Sequence, residues 1–190
     1  MRGGIEIVKK ILYINSCVRS DSRTDKIARA LLSKLGEEYD EVSLKDADLH
    51  TLDEDGIYKR YELIEKEEFD NPLFSYARQF ADADIIVISA PHWDFSFPAV
   101  LKMYIENIYI LGIVSKYEAD GTVKGLCRAE KLYFVTTSGG PMIEQFGYEY
   151  IKALATECFG IKDVSLIKAE MLDVDGFDAD KAVNDVIAKL

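Results

Sequence analysis

Between Ser16 and Thr24 the chain packs four hydroxyl side chains (Ser16, Ser20, Ser22, Thr24) and two guanidiniums (Arg19, Arg23) into nine residues. Hydroxyls and arginines beside the free N–H groups of a helix start make an anion site, where backbone donors, the helix dipole and a cation act on one point. Helix capping by Ser20, Ser22 or Thr24 accounts for such residues without a ligand. Capping, however, uses one hydroxyl, and more are present. The chain lacks the Gly-Lys-Ser/Thr of a nucleotide-binding P-loop and the Gly-x-Gly-x-x-Gly of a dinucleotide fold.

A second segment reads Ala90-Pro91-His92-Trp93-Asp94-Phe95-Ser96-Phe97-Pro98. It offers large flat surfaces and two ionisable groups in one loop. Trp93 and Phe95 read as ligand contacts, whereas Phe97 reads as core filling beneath the following helix. A third segment, Thr136-Thr137-Ser138-Gly139-Gly140-Pro141, places two glycines where backbone amides can approach a ligand closely. A tight strand-to-helix turn is the alternative there. A phosphate pocket, an aromatic wall and a glycine wall together describe a site for a flat ring with a phosphate tail, and FMN is such a molecule.

These segments must be carried by elements that bring them together. Lys10–Asn15 and Asp84–Ser89 read as strands with unbroken apolar runs, Ile11–Ile14 and Ile85–Ile88, of the kind buried on both faces of a parallel sheet. Tyr39–Leu44 alternates as an edge strand does, and Lys131–Thr136 and Asp163–Ala169 complete five strands. Helices are expected over Ser22–Leu35, ended by Gly36, over Leu73–Ala81 after Pro72, over Pro98–Leu111, over Glu144–Phe159, stopped by Gly160, and over Asp178–Leu190. Alternating strands and helices predict an α/β flavodoxin-like three-layer sandwich, a five-stranded parallel sheet of order 2-1-3-4-5 with helices on both faces, in one domain over residues 1–190. That topology collects the loops after strands one, three and four on the carboxyl edge. Two stretches break the alternation. Acidic Lys45–Asn71 reads as a solvated excursion with a short helix around Tyr58–Glu67, a substrate-facing role being the alternative. Gly112–Glu130 carries Asp120-Gly121, a two-residue hairpin signal that could lie beside the same pocket.

Composition narrows the partners. A net charge of −11 over 190 residues argues against nucleic acid or an anionic membrane. Cys17, Cys127 and Cys158 are scattered and His50 and His92 are the only histidines, so neither a disulfide framework nor a metal site is supported and a cytoplasmic location is expected. No apolar run approaches the length of a membrane span, and the start, Met1–Lys10, lacks the apolar core of a signal peptide.

Taken in order, Ser16 with Ser22-Arg23-Thr24, Ala90–Pro98 and Thr136–Gly140, supported by Asp120-Gly121 with Gly125-Leu126 and by Phe159-Gly160-Ile161, resemble the FMN-dependent NADH:quinone oxidoreductase/azoreductase family of flavodoxin-like proteins over nearly the whole chain. The resemblance implies that Ser16, Ser22, Arg23 and Thr24 hold the FMN phosphate. It implies that Pro91, His92, Trp93, Asp94 and Phe95 line one side of the isoalloxazine ring, and that Thr137, Ser138, Gly139 and Gly140 close the other. It further implies a homodimer with the active site at the interface, NADH or NADPH as donor, and a ping-pong two-electron reduction of a quinone, azo or nitro compound. The acidic excursion and the hairpin region would then vary the substrate contacts. A low-retention NAD(P)H:FMN reductase and a flavodoxin-type electron carrier are the alternatives. Two positions depart from the family: Asp94 stands where an Asn is common, and Met142 where a His is often found. A carboxylate accepts hydrogen bonds only, so Asp94 near the ring would lower the flavin's potential. His92 is a candidate proton donor, with a packing or hydrogen-bonding role as the alternative.

Overall fold

The computed structural model describes residues 9–36 and 38–190. The segment read for a signal peptide, Met1–Lys10, lies outside the described residues up to Val8. Five parallel strands form the central sheet: β1 (Ile11–Asn15), β2 (Asp40–Ser43), β3 (Ile85–Ser89), β6 (Lys131–Thr137) and β7 (Asp163–Ala169), with β4 (Ser115–Tyr117) and β5 (Val123–Gly125) in a separate hairpin. The order is β2-β1-β3-β6-β7, which is the expected 2-1-3-4-5 once the hairpin strands are set aside.

β1 and β3 are buried at all five positions. Their alternating side chains divide between two cores. Leu12, Ile14, Ile86 and Ile88 face one, with Phe74, Phe80, Leu101 and Phe159. Ile11, Tyr13, Ile85 and Val87 face the other, with Ile27, Leu31 and Val183. The first core is covered by α2 (Glu54–Glu65), α3 (Ser75–Asp82), α4 (Ala99–Ile108) and α5 (Tyr148–Ala153), the second by α1 (Arg23–Leu35) and α6 (Ala179–Lys189). Truncating a fully buried side chain such as Ile14 to Ala costs about 2–5 kcal/mol in cores of this kind.

Helix starts follow local chemistry. The Ser22, Asp53 and Asp178 side chains accept the N–H of Asp25, Gly56 and Lys181 at the starts of α1, α2 and α6. Asp53 explains why the excursion helix begins at Glu54, earlier than the expected Tyr58. The excursion is mostly exposed, yet Leu63 is buried in the first core.

Two expectations change. The stretch Glu144–Phe159 is not one helix: a 3-10 turn over Glu144–Phe146 precedes α5, and α5 widens into a π-helical segment, Leu154–Phe159, before Gly160 ends it at φ 81°. The widened turn carries Phe159 into edge contact with Phe80, ring centroids 5.1 Å apart. The hairpin is not closed by two residues either. Tyr117 pairs with Val123, Glu118 N–H donates to Thr122 C=O, and Gly121 sits at φ 84° near the tip. The hairpin also lies at the amino edge of the sheet, where a Cβ on Gly125 would come within 2.1 Å of the Gly160 nitrogen. Arg128 N–H donates to Ala81 C=O and Glu130 N–H to Asp84 C=O on that same edge. The expected proximity of Gly112–Glu130 to the carboxyl-edge pocket is therefore corrected within this chain.

Candidate active site

The loops after β1, β3, β6 and β7 converge at the carboxyl edge around a cavity of about 420 Å³, a size common for small-molecule sites. The first loop is held from below by Asn15. Its Oδ1 accepts Cys17 N–H (3.0 Å) and the Ser89 hydroxyl (3.2 Å), while Nδ2 donates to Asp25 (3.1 Å) and Glu41 (3.0 Å). Ser16 is fully engaged beneath the cavity: its N–H and its hydroxyl both donate to Ser89 C=O, at 3.0 and 2.7 Å. Ser16 therefore does not line the cavity, whereas Ser22, Arg23 and Thr24 do.

The α1 N-terminus points its first-turn N–H groups at this cavity, and the Ser22 hydroxyl caps Asp25 N–H at 3.4 Å. Both readings of these hydroxyls therefore apply, capping for Ser22 and cavity lining for Ser22 and Thr24. Thr24 is buried, and its Oγ1 lies 2.7 Å from Thr137 Oγ1. That hydrogen bond ties the first loop to the end of β6.

The aromatic loop splits in two. Pro91, His92 and Trp93 line the cavity, and His92 N–H donates to Thr137 C=O at 2.9 Å. Asp94 and Phe95 do not line it. They are the central residues of a turn in which Ser96 N–H donates to Trp93 C=O at 2.8 Å, with positive φ at both, 49° and 65°. Two consecutive positive φ values are the signature of a type I′ turn, which favours Asn-Gly. Phe95 is 61% exposed at the tip. Asp94 is thus also a backbone position of the turn, at positive φ. Ser96 anchors the turn through its hydroxyl, which donates to Phe146 C=O at 2.7 Å. Phe97 packs on Tyr150, centroids 5.8 Å apart, as the core-filling reading expects.

From β6, Thr137, Ser138 and Gly139 line the cavity. A Cβ on Gly139 would meet Asp173 Oδ2 at 2.4 Å, so a larger residue there would displace the Asp173 side chain from its present position. Gly140 has nothing within 4 Å of its Cβ position and lies outside the lining. Met142 N–H donates to Glu170 Oε1 at 2.7 Å, and Lys168 holds Glu170 by a salt bridge of 2.9 Å.

The loop after β7 supplies Leu172 and Asp173, which the sequence reading did not include. Leu172 N–H donates to Ser138 C=O (3.1 Å) and Asp173 N–H to Gly139 C=O (3.0 Å), and Asp173 Oδ1 takes Arg23 Nη1 at 2.9 Å. The signal was topological: β7 ends on the same edge as β1, β3 and β6.

The electrostatics are balanced rather than basic. Arg19 pairs with Asp21 at 2.8 Å and Arg23 with Asp173. The Arg19 guanidinium holds the Asp21 carboxyl below the usual carboxylate range. Burial pushes the His92 imidazole below its ordinary value, with Glu170 opposing the shift, which favours the neutral ring. His92 Nε2 is buried without a hydrogen-bond partner. No group of three metal-ligating side chains is present among the described residues.

Residues 9–190 match the flavodoxin-like fold family. The FMN-dependent NADH:quinone oxidoreductase of Clostridium beijerinckii is 34% identical over 193 residues, covering 96% of both chains. That of Clostridium perfringens (strain ATCC 13124) is 33% identical over 192 residues, again covering 96% of both. An azoreductase structure from Bacillus anthracis str. Sterne superposes with a TM-score of 0.81 at 20% identity, covering 96% of both chains. An FMN-dependent NADH-azoreductase from Bacillus anthracis str. Ames Ancestor, solved in complex with FMN, gives 0.79 at 21% identity, covering 96% of this chain and 95% of that one. The structural likenesses are likenesses of fold.

Proposed function

Because the chain belongs to the flavodoxin-like fold family, we propose from its relatives and its carboxyl-edge cavity that it is an FMN-dependent NAD(P)H oxidoreductase reducing quinones, azo or nitro compounds. The observation that carries the reading is the convergence of a hydroxyl- and arginine-bearing helix start, a flat aromatic and a glycine-bearing loop on one cavity. The donor set fits a phosphate-bearing ring. N–H groups and hydroxyls at the start of a 13-residue helix suit the phosphate. The unpartnered His92 Nε2 is a polar atom awaiting a partner.

Ser22, Arg23 and Thr24 would hold the phosphate. Pro91, His92 and Trp93 would flank one side of the ring, and Thr137, Ser138 and Gly139 the other. Ser16, Asp94, Phe95 and Gly140 act behind them, by shaping the loops that carry these groups. Bound FMN supplies reversible hydride chemistry, which the protein orients and shields. His92, neutral, keeps a proton on one ring nitrogen and an acceptor on the other, and so can hold or give a proton at the cavity wall. Arg23, the first residue of α1, reaches from the helix start to Asp173 in the loop after β7 and lines the cavity.

The working unit in this reading is a homodimer of one-domain chains. Val18 and Trp93 are exposed at the cavity, and Phe95 and Phe146 are exposed on and beside the same aromatic loop, an apolar surface that a second copy would cover. A cytoplasmic location is supported by the three free cysteines.

The purified protein is expected to be yellow, to release FMN on heating and to bleach with NADH or NADPH under anaerobic conditions. Quinones, azo dyes and nitro compounds should then restore the colour. A colourless protein that cannot be reconstituted with FMN rejects the proposal. Saturation by free FMN as a substrate, with no turnover of a bound acceptor, would instead point to an FMN reductase.

A further inference from the structure

The acidic excursion has no part in the cavity above, but it builds another. A cavity of about 640 Å³ lies between residues 49–60 and the outer side of α4, and it shares no lining residue with the first. Its floor is apolar, made by Leu49, Leu73, Phe74, Met103 and Ile110. Its volume is in the range of small-molecule sites.

Arg60 lines this groove from α2 and is half-buried. One of its five N–H donors is used within the chain, by Glu106 C=O at 2.8 Å from Nη1. Arg19, Arg23, Arg29 and Arg128 each pair with a carboxylate. Arg60 pairs with none among the described residues, although the chain carries 34 acidic residues. The charged groups and the amide on the rim are engaged within the chain, which leaves the Thr51 hydroxyl beside Arg60. Lys59 is bonded to Glu62 at 3.3 Å, His50 to Asp48 at 3.0 Å, and Asp53 caps Gly56 N–H at 2.8 Å. The Asn107 amide donates to His50 C=O and Met103 C=O. Burial lowers the Arg60 pKa, with Tyr61 and the Glu106 carboxylate opposing the shift.

We propose that this groove binds a small amphipathic carboxylate, with its headgroup on the free donors of Arg60 and its apolar body on Leu73, Met103 and Ile110. A planar fork matches a carboxylate in two-point contact. A phosphate dianion suits the site less well, because the second cation on the rim, Lys59, is paired with Glu62 and Asp53 stands beside it. The groove is independent of the flavin reading, since none of its residues touches the first cavity.

The test is calorimetric titration of the full-length, FMN-loaded protein with 2-naphthoate and with its neutral amide. Saturable binding of one 2-naphthoate per chain is expected, at least about tenfold tighter than the amide, a gap of about 1.4 kcal/mol. Arg60→Gln should abolish that preference, and Arg60→Lys should restore part of it. Met103→Trp, which fills the floor, should weaken both ligands. Arg60→Gln also removes the bond to Glu106 C=O, so its melting temperature is measured alongside and the Met103→Trp arm stands independently. The flavin spectrum should not change on binding. Equal affinity for acid and amide, a preference surviving Arg60→Gln, or competition with FMN each overturns the proposal. So does the absence of binding to the wild-type protein, the result expected if a second copy covers the groove.

Discussion

Thr24 and Thr137 meet hydroxyl to hydroxyl at 2.7 Å, both buried beneath the cavity. One residue begins a helix and the other ends a strand, and 113 positions separate them in the chain. Thr24→Val leaves the Thr137 hydroxyl buried without a partner, which costs about 1–3 kcal/mol. Thr137→Val should cost about as much, and the double variant less than the sum of the two. Urea midpoints of the FMN-free protein measure this. FMN affinity, read by quenching of flavin fluorescence, should fall about tenfold in each single variant. Full additivity would show that the two hydroxyls are not coupled.

Asp173 holds Arg23 at 2.9 Å beside the helix start, where a second negative charge would sit. Like charges at close range repel. Asp173→Asn is therefore expected to bind FMN about three- to tenfold more tightly while leaving riboflavin affinity unchanged. Arg23→Leu should weaken FMN and again spare riboflavin. Equal effects on the two flavins would show that the acid acts through loop shape instead of charge.

The turn at Trp93–Ser96 makes the departure at Asp94 a matter of backbone conformation. With φ 49° at Asp94 and 65° at Phe95, both residues sit where Asn and Gly are favoured. Asp94→Asn should stabilise modestly, and Phe95→Gly by about 1 kcal/mol through relief of the left-handed conformation. Phe95→Val should destabilise. Thermal melts of the FMN-free protein rank the three. Since the Asp94 side chain does not line the cavity, the flavin midpoint potential of Asp94→Asn should match the wild type. A clear rise in potential would return Asp94 to the ring.

His92 titrates below the ordinary imidazole value of 6.5 because burial disfavours its charged form, with Glu170 opposing. The unfolded chain therefore binds the proton first as pH falls. The contribution is fully present above the unfolded value and is lost on acidification toward the folded one. Between about pH 7.5 and about pH 5.5, wild type should lose more stability than His92→Gln, as read by urea midpoints at each pH. Identical losses would mean that His92 is not desolvated.

The strands were legible because Ile11–Ile14 and Ile85–Ile88 are unbroken apolar runs, and such runs have one home in an α/β fold. The three loops were legible for the same reason, since topology delivers them to one edge. Leu172 and Asp173 obey that rule too, but no residue motif marks their loop. The break ahead of α5 falls at Gly147, a glycine inside the expected helix, whereas the widened turn left no such signal because it answers to Phe80 and Tyr109 across the core. For Asp94 and Phe95 the sequence carries no dihedral angle. Their types suggest ring contact, whereas their φ values make them the hinge points of the turn. Ser16 looked like a ligand hydroxyl, yet both of its donors go to Ser89 C=O.

Thr137 bonds to Thr24 through its hydroxyl and accepts the His92 N–H at its carbonyl, while Ser138 C=O accepts the Leu172 N–H and Gly139 C=O the Asp173 N–H. Every wall of the cavity is thus fastened to one three-residue segment, and no wall can swing out alone. Cofactor residence then becomes a question of how often the whole rim breathes, a sub-global opening with a steep temperature dependence. A molecule entering the cavity meets a mould already set, so association should be limited by access and departure by that rare collective loosening.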